Sequence, residues 1–153
     1  MTAQVAVTPM VEGSASGPAL VFDEPVSLWG GVDPTTAVVV DRLHPQRGVS
    51  LSGAVVFMPS GRGSSSASSI LVEMVRLETA PAAFVLGGPD EMLTIGSLVA
   101  EELYDRVVPI VVVDTGGLGT GGIAAGGIAA GEIAVRTGDR VRIDGAVLTI
   151  ESR

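Results

Sequence analysis

Cysteine is absent from this 153-residue chain. That excludes disulfides, and it excludes these residues as thiolate donors to an iron–sulfur cluster, which a partner would have to hold. Aromatic residues make up only 3%, so the core must be built mainly from Val, Ile, Leu, Ala and Met. Histidine occurs once, at His44, which leaves no multi-histidine metal site to draw and no Ser–His pair to assign. Positive charge is scarce: nine basic residues face 17 acidic ones, for a formal charge of −8. With no basic cluster to offset it, nucleic acid and membrane surfaces are poor partners. The segment Met1 to Val11 has neither a basic n-region nor a long apolar h-region, so it does not read as a secretory signal, and a cytoplasmic protein is expected. The longest uncharged stretch, Thr115 to Gly131, approaches membrane-span length but contains eight glycines. Each costs about 1 kcal/mol against alanine in a helix, so the stretch reads as a loop.

What is present suffices for one domain over residues 1–153, because 46% of the residues are hydrophobic. Short β-branched runs bounded by Gly, Pro or Asp predict strands at Ala19 to Phe22, Ala37 to Val40 and Ala54 to Met58. The period then changes. Ala67, Ile70, Leu71, Met74, Val75 and Glu78 are spaced as an amphipathic helix that ends before Pro81, with Ser64, Ser65 or Ser66 as its N-cap. A strand at Ala82 to Leu86 stops at Gly87-Gly88-Pro89. Asp90 then caps a second helix carrying Leu93, Ile95, Leu98, Val99 and Leu103, and Pro109 to Val113 returns to strand.

Two βα steps and a further strand predict an α/β fold, a mixed sheet with two covering helices. Glu132 to Arg136, Arg140 to Asp144 and Val147 to Glu151 close it as a terminal β-meander, with Asp144-Gly145 a two-residue hairpin signal. Together with the early strands these form a second sheet or a small barrel. Between the halves, residues 116–131 repeat Gly-Gly-Ile-Ala-Ala at 121–125 and 126–130 and read as a Gly/Ala-rich connecting loop.

The candidate site is Gly61-Arg62-Gly63-Ser64-Ser65-Ser66-Ala67-Ser68-Ser69, lying between a strand and a helix start. Its glycines allow close backbone approach, the free N–H groups of the helix start favour an anion, and Arg62 adds a charge suited to carboxylate or phosphate. The same residues also describe a plain serine-rich helix cap. Elsewhere, Trp29, beside Gly30 and Gly31, suits either a pocket wall or an interface anchor. Asp33 before Pro34 suits a local turn bond, and His44 before Pro45 the ordering of a turn. Glu101 and Glu102 read as a solvated face.

Three segments, in this order and spacing, carry a family resemblance: Glu24-Pro25-Val26-Ser27-Leu28-Trp29-Gly30-Gly31-Val32-Asp33-Pro34, Asp41-Arg42-Leu43-His44-Pro45, and Pro59-Ser60-Gly61-Arg62-Gly63-Ser64-Ser65-Ser66. They resemble the small subunit, or swivel domain, of the aconitase X family. Thr79-Ala80-Pro81-Ala82-Ala83 and Ile95-Gly96-Ser97-Leu98-Val99-Ala100 extend the likeness.

The resemblance implies a swivelling β/β/α domain that closes over a large, cluster-bearing subunit. It implies a hydro-lyase acting on cis-3-hydroxy-L-proline, the alternative being phosphomevalonate in isoprenoid synthesis. An iron or iron–sulfur cluster is then expected on a cysteine-bearing large subunit, with none bound by this chain. Ser64 falls at the position of the proton-accepting serine, with Arg62, Gly63, Ser65 and Ser66 around the substrate and Trp29, Gly30, Gly31, Asp33 and His44 at a pocket or interface. In related hydro-lyases an arginine follows the two serines. Ser66 stands there in this chain, which passes anion binding to Arg62 or to the large subunit. A reading of another class, a non-catalytic anion-binding module, uses the same loop for recognition alone, although the loop lacks the Gly-Lys-Ser/Thr of a nucleotide-binding P-loop.

Overall fold

A computed structural model describes residues 2–22, 24–59, 66–113, 123–124, 127–128 and 135–152. The strands are β1 (Thr2–Val11), β2 (Ser14–Val21), β3 (Val55–Met58), β4 (Ala83–Leu86), β5 (Ile110–Val113), the short β6 (Ile123–Ala124) and β7 (Gly127–Ile128), β8 (Arg140–Asp144) and β9 (Val147–Glu151). The helices are α1 (Leu28–Gly31), α2 (Ala67–Arg76) and α3 (Glu91–Tyr104).

Seven strands close into a barrel in the order β1-β5-β4-β3-β2-β8-β9. β2, β3, β4 and β5 run parallel, while β1, β8 and β9 join antiparallel. Alternation along the parallel strands sorts side chains onto two faces. Val21, Val55, Phe57, Val85 and Val111 fill the barrel with Val141, Ile143, Leu148 and Ile150. Leu20, Phe22, Val56, Met58, Phe84, Leu86 and Ile110 point outward, under Leu71, Met74 and Val75 of α2 and Leu93 and Ala100 of α3. All three phenylalanines of the chain are fully buried, whereas Trp29 and Tyr104 are exposed.

The barrel closes because β1 and β2 each serve two neighbours. β1 pairs with β9 over Thr2 to Ala6 and with β5 over Val7 to Val11. Between Pro9 and Val11 the partner advances by one residue instead of two. This one-residue bulge reverses the alternation, so Val7 lies in the barrel and Val11 in the helix layer. β2 pairs with β8 from Ser14 to Pro18 and with β3 from Ala19 to Val21. At the switch, the turn at 136–139 takes over its backbone: Ala19 N–H donates to the Asp139 carbonyl (2.8 Å) and Val21 N–H to Thr137 Oγ1 (3.0 Å).

Several sequence expectations are corrected. Ala37 to Val40 is not a strand: Ala37 takes φ 61, and only isolated bridges, Val32 with Val39 and Val38 with Ser50, form around it. A left-handed residue and the preceding Asp33 turn break the extended run that three valines suggest. Of the expected strand Glu132 to Arg136, the described part, Val135 and Arg136, leads into the 136–139 turn, where Asp139 Oδ2 accepts from Arg136 N–H. The β8–β9 hairpin of the expected meander is present, while residues 132–134 of its first strand lie outside the described residues. The strand over Thr2–Val11 was not foreseen, because Pro9 and scattered polar residues mask its alternation. Within residues 116–131, Ile123 pairs with Ile128 and Ala124 with Gly127, so the two copies of the repeat pair with each other; the rest lies outside the described residues.

Candidate functional site

The parallel strands end together on one edge of the barrel, where an open α/β sheet receives its ligands. β3 ends at Met58 and leads through Pro59 toward α2; β4 ends at Leu86 and leads through Gly87 toward α3. These two exits are in close contact. Gly87 N–H donates to the Met58 carbonyl (3.0 Å), and a Cβ at position 87 would fall 2.5 Å from the Pro59 carbonyl oxygen. Only glycine fits that approach. Gly87 is a site-shaping residue that the sequence had marked only as a strand stop.

Both helices begin at this edge, and their exposed N–H groups give it a positive partial charge. On α3, Asp90 Oδ1 accepts from Leu93 N–H at 3.0 Å, as its spacing predicted. On α2 the cap position is Ser66, whose side chain makes no capping hydrogen bond. Arg62, Gly63, Ser64 and Ser65 lie outside the described residues. The chain places them between Pro59 and Ser66, hence between the β3 exit and the α2 start.

The segment leaving β2 borders the same edge. Its α1 carries Trp29, exposed at 59%, Gly30 at φ 76 and buried Gly31, and it packs beside α2. Ser27 Oγ donates to the Trp29 carbonyl at 3.1 Å, and the Gly31 carbonyl accepts from Val40 N–H at 2.9 Å.

His44 is buried, edge-on to Phe22 with ring centroids 5.4 Å apart. Its Nε2–H donates to the Glu24 carbonyl and its Nδ1 accepts from Gln46 N–H, both at 3.1 Å, so both ring nitrogens are engaged by backbone. Gln46 Nε2 in turn donates to the Val21 carbonyl at 2.7 Å. His44 and Gln46 thus fasten the 41–50 loop to the end of β2. No spacing signal marks Gln46 in the sequence.

Asp33 is drawn elsewhere. Its Oδ1 accepts from Thr35 N–H at 2.9 Å, and the adjacent Pro34 carbonyl accepts from Thr79 Oγ1 at 2.6 Å. Thr79 follows the C-terminal end of α2, about 15 Å of helix away from Ser66.

The donor set does not fit a metal cluster. Cysteine is absent from the chain, the single histidine has both nitrogens occupied, and among the described residues no three His, Asp or Glu side chains converge. Among the described residues the marked electrostatic perturbation lies outside the edge: on α2 the Arg76 guanidinium, hydrogen-bonded to Glu73, holds that exposed carboxyl below its ordinary range. A trough of about 1190 Å³ is also remote from the edge, on the outer face of β8 and β9 and the amino-terminal halves of β1 and β2. Among the described residues no helix is long and apolar enough to cross a membrane.

Comparison with known proteins adds to this geometry. The family model for the aconitase X swivel domain matches residues 4–151. A cis-3-hydroxy-L-proline dehydratase of Pseudomonas aeruginosa is 50% identical over 101 residues, 66% of this chain and 17% of that protein. The like-named protein of Hypocrea jecorina is 42% identical over 69% of this chain and 18% of its own length. The chain thus spans under a fifth of either dehydratase. A phosphomevalonate dehydratase small subunit of Methanothermobacter thermautotrophicus is 41% identical over 58% of this chain and 67% of its own. The crystal structure of Thermococcus kodakaraensis aconitase X, holo-form, superposes with TM-score 0.77 at 25% identity, covering 98% of this chain and 99% of that one.

Proposed function

The chain belongs to the aconitase X swivel domain family, and from that premise we propose that it is the swivel component of a hydro-lyase acting on cis-3-hydroxy-L-proline. The observation that carries this reading is the sequence likeness to the bacterial dehydratase at 50% identity. Chain order supports the site: the Arg62 to Ser65 segment joins the carboxyl end of β3 to the start of α2.

In this reading Ser64 accepts the proton from the carbon next to the substrate carboxylate, while hydroxide leaves the neighbouring carbon. A serine hydroxyl is a weak base, and its alkoxide gains stability from the α2 N-terminus and from Arg62, an attraction that strengthens enough to offset desolvation only if both lie close. Arg62, with Gly63, Ser65 and Ser66, orients the carboxylate. Cysteine is absent from this chain and no metal-ligating cluster forms among its described residues, so in this reading any iron or iron–sulfur cluster is assigned to a larger, cysteine-bearing component.

A second substrate is favoured by a specific observation, the 41% identity to a phosphomevalonate dehydratase small subunit. One experiment separates the two. The chain is co-expressed anaerobically with the larger component and assayed on both substrates. Turnover of cis-3-hydroxy-L-proline is expected, falling about 10²–10⁴-fold in Ser64→Ala. Turnover of phosphomevalonate alone would reassign the substrate, and full activity in Ser64→Ala would remove the proton acceptor.

A further inference from the structure

The outer face of α3 is apolar and has no partner among the described residues. Ile95, Leu98, Val99 and Leu103 are 46%, 50%, 40% and 60% exposed, while the buried stripe is made by Leu93 and the small residues Gly96, Ser97 and Ala100. At 100° per residue the four exposed side chains share one arc, with Glu91 and Glu102 on the same arc at its two ends. Val107, just beyond the helix, is 41% exposed. A solvated helix face would be polar here.

We infer that this face docks the chain onto the larger component of the dehydratase, through an apolar groove with a basic residue at each end. The inference rests on the functional reading above, and charge argues for it. α3 carries no basic residue, and the following Arg106 is ion-paired with Glu78, so the charges on the patch's own arc are the acids Glu91 and Glu102. A second copy of this chain is a poor occupant: antiparallel pairing sets Glu91 against Glu102, parallel pairing sets like against like, and both repel. The complementary surface has a Lys or Arg at either end of an apolar floor about 16 Å long. Location agrees as well, because α3 starts at Asp90 on the site edge. A partner lying on this face therefore starts at the edge where β4 ends.

The test measures affinity between the full chain and the purified larger component. Leu98→Glu is expected to weaken binding about 100-fold, since a charge then enters the centre of the contact. Val147→Glu, at an exposed position on the barrel wall outside the helical layer, is expected to bind as wild type does. Glu91→Gln with Glu102→Gln is expected to lower affinity about 3–10-fold and to flatten its salt dependence. Unchanged affinity in a folded Leu98→Glu would overturn the docking face and leave the functional reading standing. Self-association of the chain that Leu98→Glu abolishes, with the complex unaffected, would overturn it in favour of a second copy. Failure of the wild-type chain to bind the larger component would overturn the functional reading, and the partner named here with it.

Discussion

The Ser97 hydroxyl donates a 2.6 Å hydrogen bond to the Val108 carbonyl in the fully buried space between α3 and the approach to β5. It satisfies a main-chain acceptor that no water reaches. Ser97→Ala is therefore expected to lower unfolding stability by about 1–3 kcal/mol, the cost of leaving a buried acceptor unpaired. Chemical denaturation checks this, with Ser14→Ala as control: the Ser14 bond to Asp144 is exposed, and its loss is expected to cost under about 0.5 kcal/mol.

Gly96 tests the helix crossing. A Cβ there would meet the Ser68 carbonyl oxygen at 2.9 Å and Ser68 Cα at 3.0 Å, both backbone atoms of α2. Gly96→Val is expected to push α2 from α3 and cost about 1–3 kcal/mol through overpacking. Gly88→Ala meets nothing within 4 Å and is expected to be near neutral. Thermal unfolding distinguishes the two.

These residues also show how far the sequence could be read. The apolar spacing of α2, the Asp90 cap and the β3, β4 and β5 runs were legible because each signal is local. The α3 stripe was legible as a helix but not as to its faces: small Gly96, Ser97 and Ala100 pack where the larger Ile95 and Leu98 would be expected to, and close helix approach is a tertiary fact. Closure of the barrel was hidden for the same reason. It depends on a bulge near Met10 and on β2 changing neighbours at Pro18, which no window of sequence records. What was legible from the Trp29, His44 and Gly61 to Ser66 segments together was the family, while the roles given to residues 61 to 65 fall outside the described residues. The anchoring of His44 to Glu24, and of Gln46 to Val21, is long-range and left no pattern.

His44 separates a positioning role from a catalytic one. Removing its ring strips partners from the Glu24 carbonyl and Gln46 N–H, so His44→Ala is expected to cost about 2 kcal/mol or more. If the ring only fastens the 41–50 loop, kcat measured well below the melting temperature stays within about threefold of wild type, as expected when the transition-state contacts are kept. A loss of kcat by several orders of magnitude in a folded variant would make it part of the chemistry.

Arg62 is expected to act on binding. Arg62→Ala should raise KM for an anionic substrate about 10–100-fold with a smaller effect on kcat, and Arg62→Lys should restore only part, because an ammonium does not reproduce the two-pronged geometry. Steady-state kinetics of the assembled enzyme decides.

The Glu73–Arg76 pair gives a pH signature. Its carboxyl is held below the ordinary range by the Arg76 hydrogen bond, so its contribution is present above the usual glutamate pKa and fades as pH falls through the lowered one. Both side chains are exposed, which makes the effect small and salt-sensitive. The stability difference between wild type and Glu73→Gln is expected to vanish at acid pH and at high salt, as followed by denaturation across pH.

The divided pairing of β1 has a kinetic consequence. Its first half finds its partner only in β9, some 140 residues later in the chain, and its second half in β5. During synthesis the β2-to-β5 layer, with α2 and α3, has its parallel partners available early. The first half of β1 stays unmatched until the β8–β9 hairpin emerges. Closing so long a loop is entropically slow, so ring closure should be the late event of folding. Until then the exposed edge of β1 is the part of the nascent chain most in need of protection from other strands.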